Sequence, residues 1–325
     1  MTKTNHPIFE YSKEIEKKLP AAIHAIVGLN VTGVNKIENG VMNYVFKIET
    51  EDGLLLARVF GKKDTVDIDK LLWIDQQLEQ NGINHSKVLG YSKSGEFFPH
   101  GFMISEYILG KNSITAINEG NISLEDYFFK LGTLVKKIHT ISVNTYGEIN
   151  STDEECRNYS EYILSKVKSL LTECIDAKSL SKEQSEEIVH KINQTLSKFE
   201  DRFNPVLVHG DCGPSNQILS EEHELFMIDW DYARKGVWIE DLIPIILSAE
   251  KFIKDNTKDA VTTTMRKSFL EGYGPTAFSE EEIAELEDVF VLIALLHNLS
   301  FYSADKRNED YAVDAKKKIN QLIIL

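Results

Sequence analysis

Between residues 9 and 27 the apolar positions Phe9, Ile15, Leu19, Ile23 and Ile26 recur at helical spacing, and Gly28 stands where such a helix would end. The period then changes. Residues 31–37, 42–48 and 54–60 are short apolar or β-branched runs. They are separated by Glu38-Asn39-Gly40 and Glu51-Asp52-Gly53, both turn-forming, so an antiparallel meander is expected. A helical pattern covers 68–80 and stops at Asn81-Gly82, after which 88–91 and 97–107 read as two further strands. The first third of the chain therefore predicts a five-stranded antiparallel sheet interrupted by one helix.

From about residue 112 the texture becomes helical. Helices are expected over 124–139 and 154–175, and another opens at Ser181, whose partner Gln184 completes a capping box. Ser279 with Glu282 repeats that signature ahead of a long apolar helix through 289–299, and 312–322 reads as a terminal helix. Residues 205–230 break the pattern: 205–208, 217–219 and 225–228 read as short strands joined by polar loops. No Pro/Gly/Ser-rich linker occurs, so the junction between a sheet lobe, 1–107, and a mainly helical lobe, 108–325, is placed at 107–110. The fold class expected is α+β.

The bulk composition agrees with two globular lobes. The chain has 325 residues, 42% hydrophobic and 27% charged, enough to build a sizeable core and too apolar for general disorder. The first residues lack a signal-type apolar core and no later run approaches a membrane span, so a cytoplasmic location without membrane association is expected. Cys156, Cys174 and Cys212 are widely spaced without a CxxC pattern, which supports reduced thiols rather than disulfides or zinc. The net charge of -15 disfavours nucleic acid, whose binding needs Lys and Arg against phosphates. It suits a cationic ligand, and equally a surface that is simply well solvated.

The chemistry concentrates in VLVHGDCGPSNQIL and FMIDW. The first places His209, Asp211 and Asn216 in a loop after a strand-like run, and the second ends another such run on Asp229. Carboxylate and amide oxygens mounted on loops between strands suit a hard cation such as magnesium. HGD followed by four residues and Asn, then IDW, resembles the catalytic loop and metal-binding motif of the protein-kinase-like superfamily. HGD and IDW in place of HRD and DFG are similar to its aminoglycoside phosphotransferase and choline kinase branch. That resemblance implies a bilobal protein-kinase-like fold using ATP, with GTP left open, and Mg2+. It implies Asp211 as catalytic base, Asn216 and Asp229 as metal ligands, and His209 as a brace of the loop.

The same resemblance distributes further roles. Arg58, in LLLARVF, stands where the family pattern has a strand Lys that contacts the nucleotide phosphates; an Arg keeps the charge but presents a planar fork. Asp69 aligns with the acidic partner expected on the following helix, with Asp67 and Glu79 as rivals. The turn at Asn39-Gly40, with the amides of Val41 to Asn43, is expected to fold over the phosphates, and the backbone of Glu106 and Ile108 to read the adenine. Asp241, in WIEDLI, is expected to anchor the catalytic loop. Only eleven residues separate Asp229 from Asp241, with no APE-like segment, which points to a small hydroxyl acceptor rather than a peptide. Asp231, Tyr232, Trp238 and Glu240 form a candidate acidic and aromatic wall for an ammonium-bearing acceptor.

The function expected is transfer of the γ-phosphate of ATP to a hydroxyl of a small molecule, with an aminoglycoside-type antibiotic first. Choline, ethanolamine, homoserine, methylthioribose and macrolide acceptors stay open. A nucleotide-binding pseudokinase is the reading from another class, kept alive by Arg58 and Asp69. Oligomeric state is not encoded in any of these features.

Overall fold

The structure, a computed structural model, describes residues 8–37, 43–61, 67–93, 95–150, 156–252, 258–303 and 309–324. In chain order it begins with α1 (Ile8–Val27), β1 (Val31–Ile37), β2 (Asn43–Thr50), β3 (Gly53–Phe60), α2 (Ile68–Gln80), β4 (Val88–Ser92), β5 (Phe102–Glu106) and β6 (Gly110–Asn112). Next come α3 (Ser113–Asn118), α4 (Leu124–Ile138), α5 (Tyr159–Asp176), α6 (Lys182–Phe199) and β7 (Val206–Val208). The remainder is β8 (Gln217–Ser220), β9 (Leu225–Met227), β10 (Arg234–Gly236), α7 (Ile243–Leu247), α8 (Lys258–Tyr273), α9 (Glu280–Ser303) and α10 (Glu309–Ile324). Among the described residues no helix is long and apolar enough to cross a membrane.

Two compact units result, residues 1–112 with 217–231, and residues 113–216 with 232–325. The first contains an antiparallel sheet of order β1-β2-β3-β5-β4. Ile15, Leu19, Ala22 and Ile23 lie on one face of α1 and are buried against Phe46, Ile48, Ala57, Val59, Phe102 and Ile104 of the strands. Each of the Ile, Leu, Val and Phe side chains among them contributes about 1.5–3 kcal/mol by leaving water. The two-residue period of β3 turns Leu55, Ala57 and Val59 to that core and leaves Arg58 on the opposite face. β6 pairs with β8, Gly110 opposite Ser220, and β8 pairs with β9, which is why 217–231 goes with the first unit rather than with the helices around it in sequence.

Two expected elements shorten. The strand placed at 97–107 is only β5, because Phe98 accepts the N–H groups of Gly95 and Gly101 in a turn around Pro99. Gly101 has φ +87°, and a Cβ there would overlap the Ser92 carbonyl. The helix placed at 154–175 begins at Tyr159: Tyr146 and Cys156 form a bridge instead, and Asn158 caps the helix by accepting the Glu161 N–H at 2.8 Å. Residues 154 and 155 lie outside the described residues.

In the second unit α4 buries Tyr127, Phe128, Leu131, Leu134, Val135 and Ile138 along one stripe. The Ser181/Gln184 box opens α6 as the pattern expected, and Ser279 with Glu282 opens α9 the same way. β7 and β10 make a two-stranded antiparallel ribbon. Leu207 and Val208 of β7 are fully buried, so the chain leaves that ribbon at His209 from a fixed point.

Candidate active site

The loop 209–216 of the second unit is organised around the buried carboxylate of Asp241. Asp241 Oδ2 accepts the His209 N–H at 2.9 Å and Oδ1 accepts the Gly210 N–H at 2.7 Å. His139 Nε2, from the C-terminus of α4, lies 3.0 Å from Oδ2, and its Nδ1 is 2.9 Å from the Tyr273 hydroxyl. Burial pushes the Asp241 carboxyl up, but the hydrogen bond and charge of His139, with the backbone amide of His209, outweigh that and hold it below its ordinary range.

His209 is buried and its Nδ1 accepts the Asp211 N–H at 3.2 Å, so this nitrogen carries no proton. The imidazole thus braces the loop from inside. Asn216, from a 3-10 turn over Pro214–Asn216, donates its side-chain N–H groups to the Asp211 carbonyl at 2.9 Å and to Asp211 Oδ2 at 2.7 Å. Cys212 is buried in the same loop, its thiol pushed well up by burial and by the neighbouring carboxylates of Asp241 and Asp211.

Gly210 has φ +78°, and a Cβ there would overlap Arg234 Nη1 and the Tyr232 carbonyl. Arg234 is pinned in that place. Its Nε donates to Glu240 Oε2 at 2.8 Å, Nη2 pairs with the same carboxylate, and Nη1 donates to the Tyr232 carbonyl at 3.1 Å. Glu240 Oε1 in turn accepts the Val237 N–H and the Tyr159 hydroxyl, both at 2.9 Å.

In the first unit the cluster centres on Arg58. Its Nη1 donates to Asp231 Oδ1 at 2.9 Å, its Nη2 pairs with Asp231 Oδ2, and Nη2 lies 3.5 Å from Asp229 Oδ1. Asp229 itself has φ +65°, a left-handed conformation that side chains other than glycine adopt at a cost of about 1–2 kcal/mol. Lys70, buried on α2, donates to the Asp231 carbonyl at 2.7 Å.

Several expected placements change. Asp69 does not face Arg58: its carboxylate pairs with Lys93 at 2.6 Å on the surface, because the helical phase turns it outward while Lys70, Ile74 and Leu78 point in. The rivals are also engaged, Asp67 as the N-cap of α2 and Glu79 with Lys87 at 2.9 Å. Of the proposed wall, Asp231 is held by Arg58 and Glu240 is buried with Arg234. Trp238 packs on Tyr273 at 5.1 Å between ring centroids, its indole Nε1 buried without a hydrogen-bond partner among the described residues. Tyr232 is the exposed member, at 60%.

The other residues expected on the nucleotide side are dispersed along the first unit. Asn43 Oδ1 accepts the Gly61 N–H at 3.4 Å. Glu106, at the end of β5, donates its N–H to Lys87 and accepts the Ser86 hydroxyl at 2.6 Å on its carbonyl; Ile108 lies between β5 and β6. The turn at Asn39-Gly40 and the amides of Val41 and Met42 lie outside the described residues. Lys70, His139 and Arg234 escaped the sequence pattern, although the phase of Lys70 with Ile74 and Leu78 marks it as an inward cation.

Among the described residues no three His, Cys, Asp or Glu side chains converge as a closed metal site. Each unit separately presents a hard oxygen donor of the expected kind. With its N–H groups turned to Asp211, Asn216 has its amide oxygen as donor atom, and Asp229 offers a carboxylate that is 51% exposed. Hard oxygens of this kind, few in number, suit a cation that keeps water and phosphate ligands.

Solved structures share this architecture. A thermostable mutant of aminoglycoside phosphotransferase APH(4)-Ia, in ternary complex with ADP and hygromycin B, superposes with a TM-score of 0.69 at 15% identity, covering 95% of this chain and 98% of that one. Choline kinase LicA from Streptococcus pneumoniae matches with a TM-score of 0.63 at 18% identity over 96% and 99% of the chains. Macrolide 2'-phosphotransferase MphH from Brachybacterium faecium matches at 0.60 and 15% identity over 94% and 98%. The fold is therefore of the protein-kinase-like class. Residues 33–286 match the model of the phosphotransferase enzyme family (APH), and the chain belongs to that family. No curated protein sequence matches it.

Proposed function

We propose that this phosphotransferase carries the γ-phosphate of ATP, with magnesium, to a hydroxyl of a small molecule, an aminoglycoside-type acceptor being the first candidate. The observation that carries this is the Asp211 carboxylate, aimed by Asn216 on a loop whose backbone is bonded to buried Asp241. Such a carboxylate accepts or orients the proton of an attacking hydroxyl. Bound magnesium would neutralise charge on the phosphates, with Asn216 and Asp229 as its protein ligands. Arg58 supplies cationic donors to the nucleotide phosphates, and His209 keeps the loop in place without touching the reactants. Phosphoryl transfer asks mainly for positioning and charge neutralisation, which fits a site built from rigid hydrogen bonds.

The acceptor class rests on the net charge of -15, on the absence of an APE-like peptide-docking segment after Asp229, and on the company of the fold. A choline-type acceptor is the second reading, favoured by the choline kinase among the structural neighbours. With Asp231 and Glu240 held by arginines, the acidic wall does not distinguish the two. The test is a mass-spectrometric screen for a gain of one phosphate across aminoglycosides, macrolides and amino-alcohols with Mg-ATP. A product that forms with the wild type and vanishes in Asp211→Ala supports the proposal. Nucleotide binding without turnover across the panel would instead favour a pseudokinase.

A further inference from the structure

The described acids of α2 and its cap have partners of their own. Asp67 caps the helix, Asp69 is paired with Lys93, and Glu79 with Lys87. What α2 sends inward is a cation, Lys70. The carboxylate that meets Arg58 comes from 173 residues further along the chain, two positions after Asp229.

Resting on the reading that Arg58 serves the nucleotide phosphates, we infer that Asp231 is its positioning residue, replacing the helix acid. The contact is two-pointed, both Arg58 amino groups meeting both Asp231 oxygens, and each side chain is only 18% exposed, so water competes weakly for it. Lys70 fixes the same residue through its main-chain carbonyl at 2.7 Å, so Asp231 is held from two sides. The left-handed backbone at Asp229 turns the chain just before this contact, and Asp229 Oδ1 ends 3.5 Å from the same Nη2. One guanidinium thus orders the residue proposed for the metal and is itself ordered by the residue that follows two places later. Only a planar fork can do this; a lysine at 58 keeps the charge and loses the orientation. Asp231 accordingly belongs to the nucleotide side of the reaction and not to recognition of the acceptor.

The test is direct binding of the fluorescent nucleotide mant-ADP, with MgCl2, to wild type, Asp231→Asn, Arg58→Lys and the double variant, with Asp211→Asn as a control. Loss of a charge-assisted contact is expected to weaken binding by about tenfold or more in Asp231→Asn. Arg58→Lys should weaken it comparably, and the double variant should be little worse than either single one, since the two side chains act as a unit. Asp231→Glu, which keeps the charge, should recover part of the loss. Once an acceptor is found, Asp231→Asn should raise KM for ATP and leave KM for the acceptor unchanged. Binding by Asp231→Asn within about twofold of wild type, or fully additive effects, overturns the inference while leaving the proposed function intact. If Asp231→Asn does not fold, Arg58→Lys carries the same criterion. Failure of wild type and Asp211→Asn to bind mant-ADP overturns the nucleotide reading and this inference with it.

Discussion

Asn216 donates twice to Asp211, to its backbone carbonyl at 2.9 Å and to its carboxylate at 2.7 Å. One amide thereby sets both the loop backbone and the direction of the carboxylate that the proposed chemistry uses. Asn216→Ala removes both donors and one proposed metal oxygen, and turnover is expected to fall by about 10²-fold or more, within the range that a misplaced general base costs. Asn216→Asp should be no better, because it sets a like charge beside Asp211. Steady-state kcat with the acceptor from the screen checks this, alongside a melting temperature close to wild type. A variant with normal kcat would show that the pair is structural only.

The second prediction concerns pH. The folded carboxyl of Asp241 lies below its ordinary range, so it binds its proton less readily in the folded chain than in the unfolded one. A depressed carboxylate contributes stability that is fully present above the unfolded value near pH 4, and that is lost as pH falls through the lower folded value. Asp241→Asn leaves His139 and two loop amides facing a group that can no longer accept from all of them. The expected cost at neutral pH is about 3–5 kcal/mol, typical of breaking a buried pair from one side. Melting temperatures of variant and wild type should differ strongly at pH 7, the gap narrowing only below about pH 4. A gap that grows on acidification contradicts the assignment.

These two networks show which parts of the site were legible beforehand. His209, Asp211 and Asn216 sit within eight residues, so their order and spacing alone encode their mutual geometry, and the strand-like run before them fixes where the loop begins. The meander of β1, β2 and β3 was equally local, each strand bounded by its own turn signal. Arg58 and Asp231 are 173 residues apart, and nothing in the neighbourhood of either marks the other. The pattern therefore nominated an acid of the following helix, Asp69, whose helical phase faces solvent. β6 escaped for another reason: Gly110, Lys111 and Asn112 carry no apolar alternation, and the strand exists only through its pairing with β8.

Position 210 tolerates glycine alone. Its φ of +78° costs a side-chain-bearing residue about 1–2 kcal/mol by itself, and a Cβ would also press on Arg234 Nη1 and the Tyr232 carbonyl. Arg234 cannot step aside without abandoning Glu240, whose other oxygen already holds Tyr159 and Val237. Gly210→Ala is therefore expected to lose more stability than the backbone term alone and to lose turnover with it, read by chemical denaturation and the phosphate-gain assay. Arg234→Ala should be worse in stability than Gly210→Ala, since it strands a buried carboxylate. A Gly210→Ala enzyme with wild-type stability would mean that the Arg234 contact does not constrain the loop.

The three thiols should separate by reactivity. Cys156 is half-buried, with its thiol donating to the Asn158 carbonyl at 3.1 Å, whereas Cys174 and Cys212 are fully buried. Burial and the nearby Glu173 push the Cys174 thiol up to about 11, and burial with Asp241 and Asp211 pushes Cys212 well above the ordinary thiol value. Since the thiolate is the nucleophile, both are almost wholly protonated at pH 8 and shielded besides. Ellman's reagent is expected to titrate one thiol of the native protein at pH 8 and all three after unfolding. Cys156→Ser should abolish the native reaction and leave turnover unchanged. Rapid labelling of Cys212 in the folded protein, with loss of turnover, would instead mean that the loop between His209 and Asn216 opens readily and is not the rigid support that its bonds to Asp241 imply.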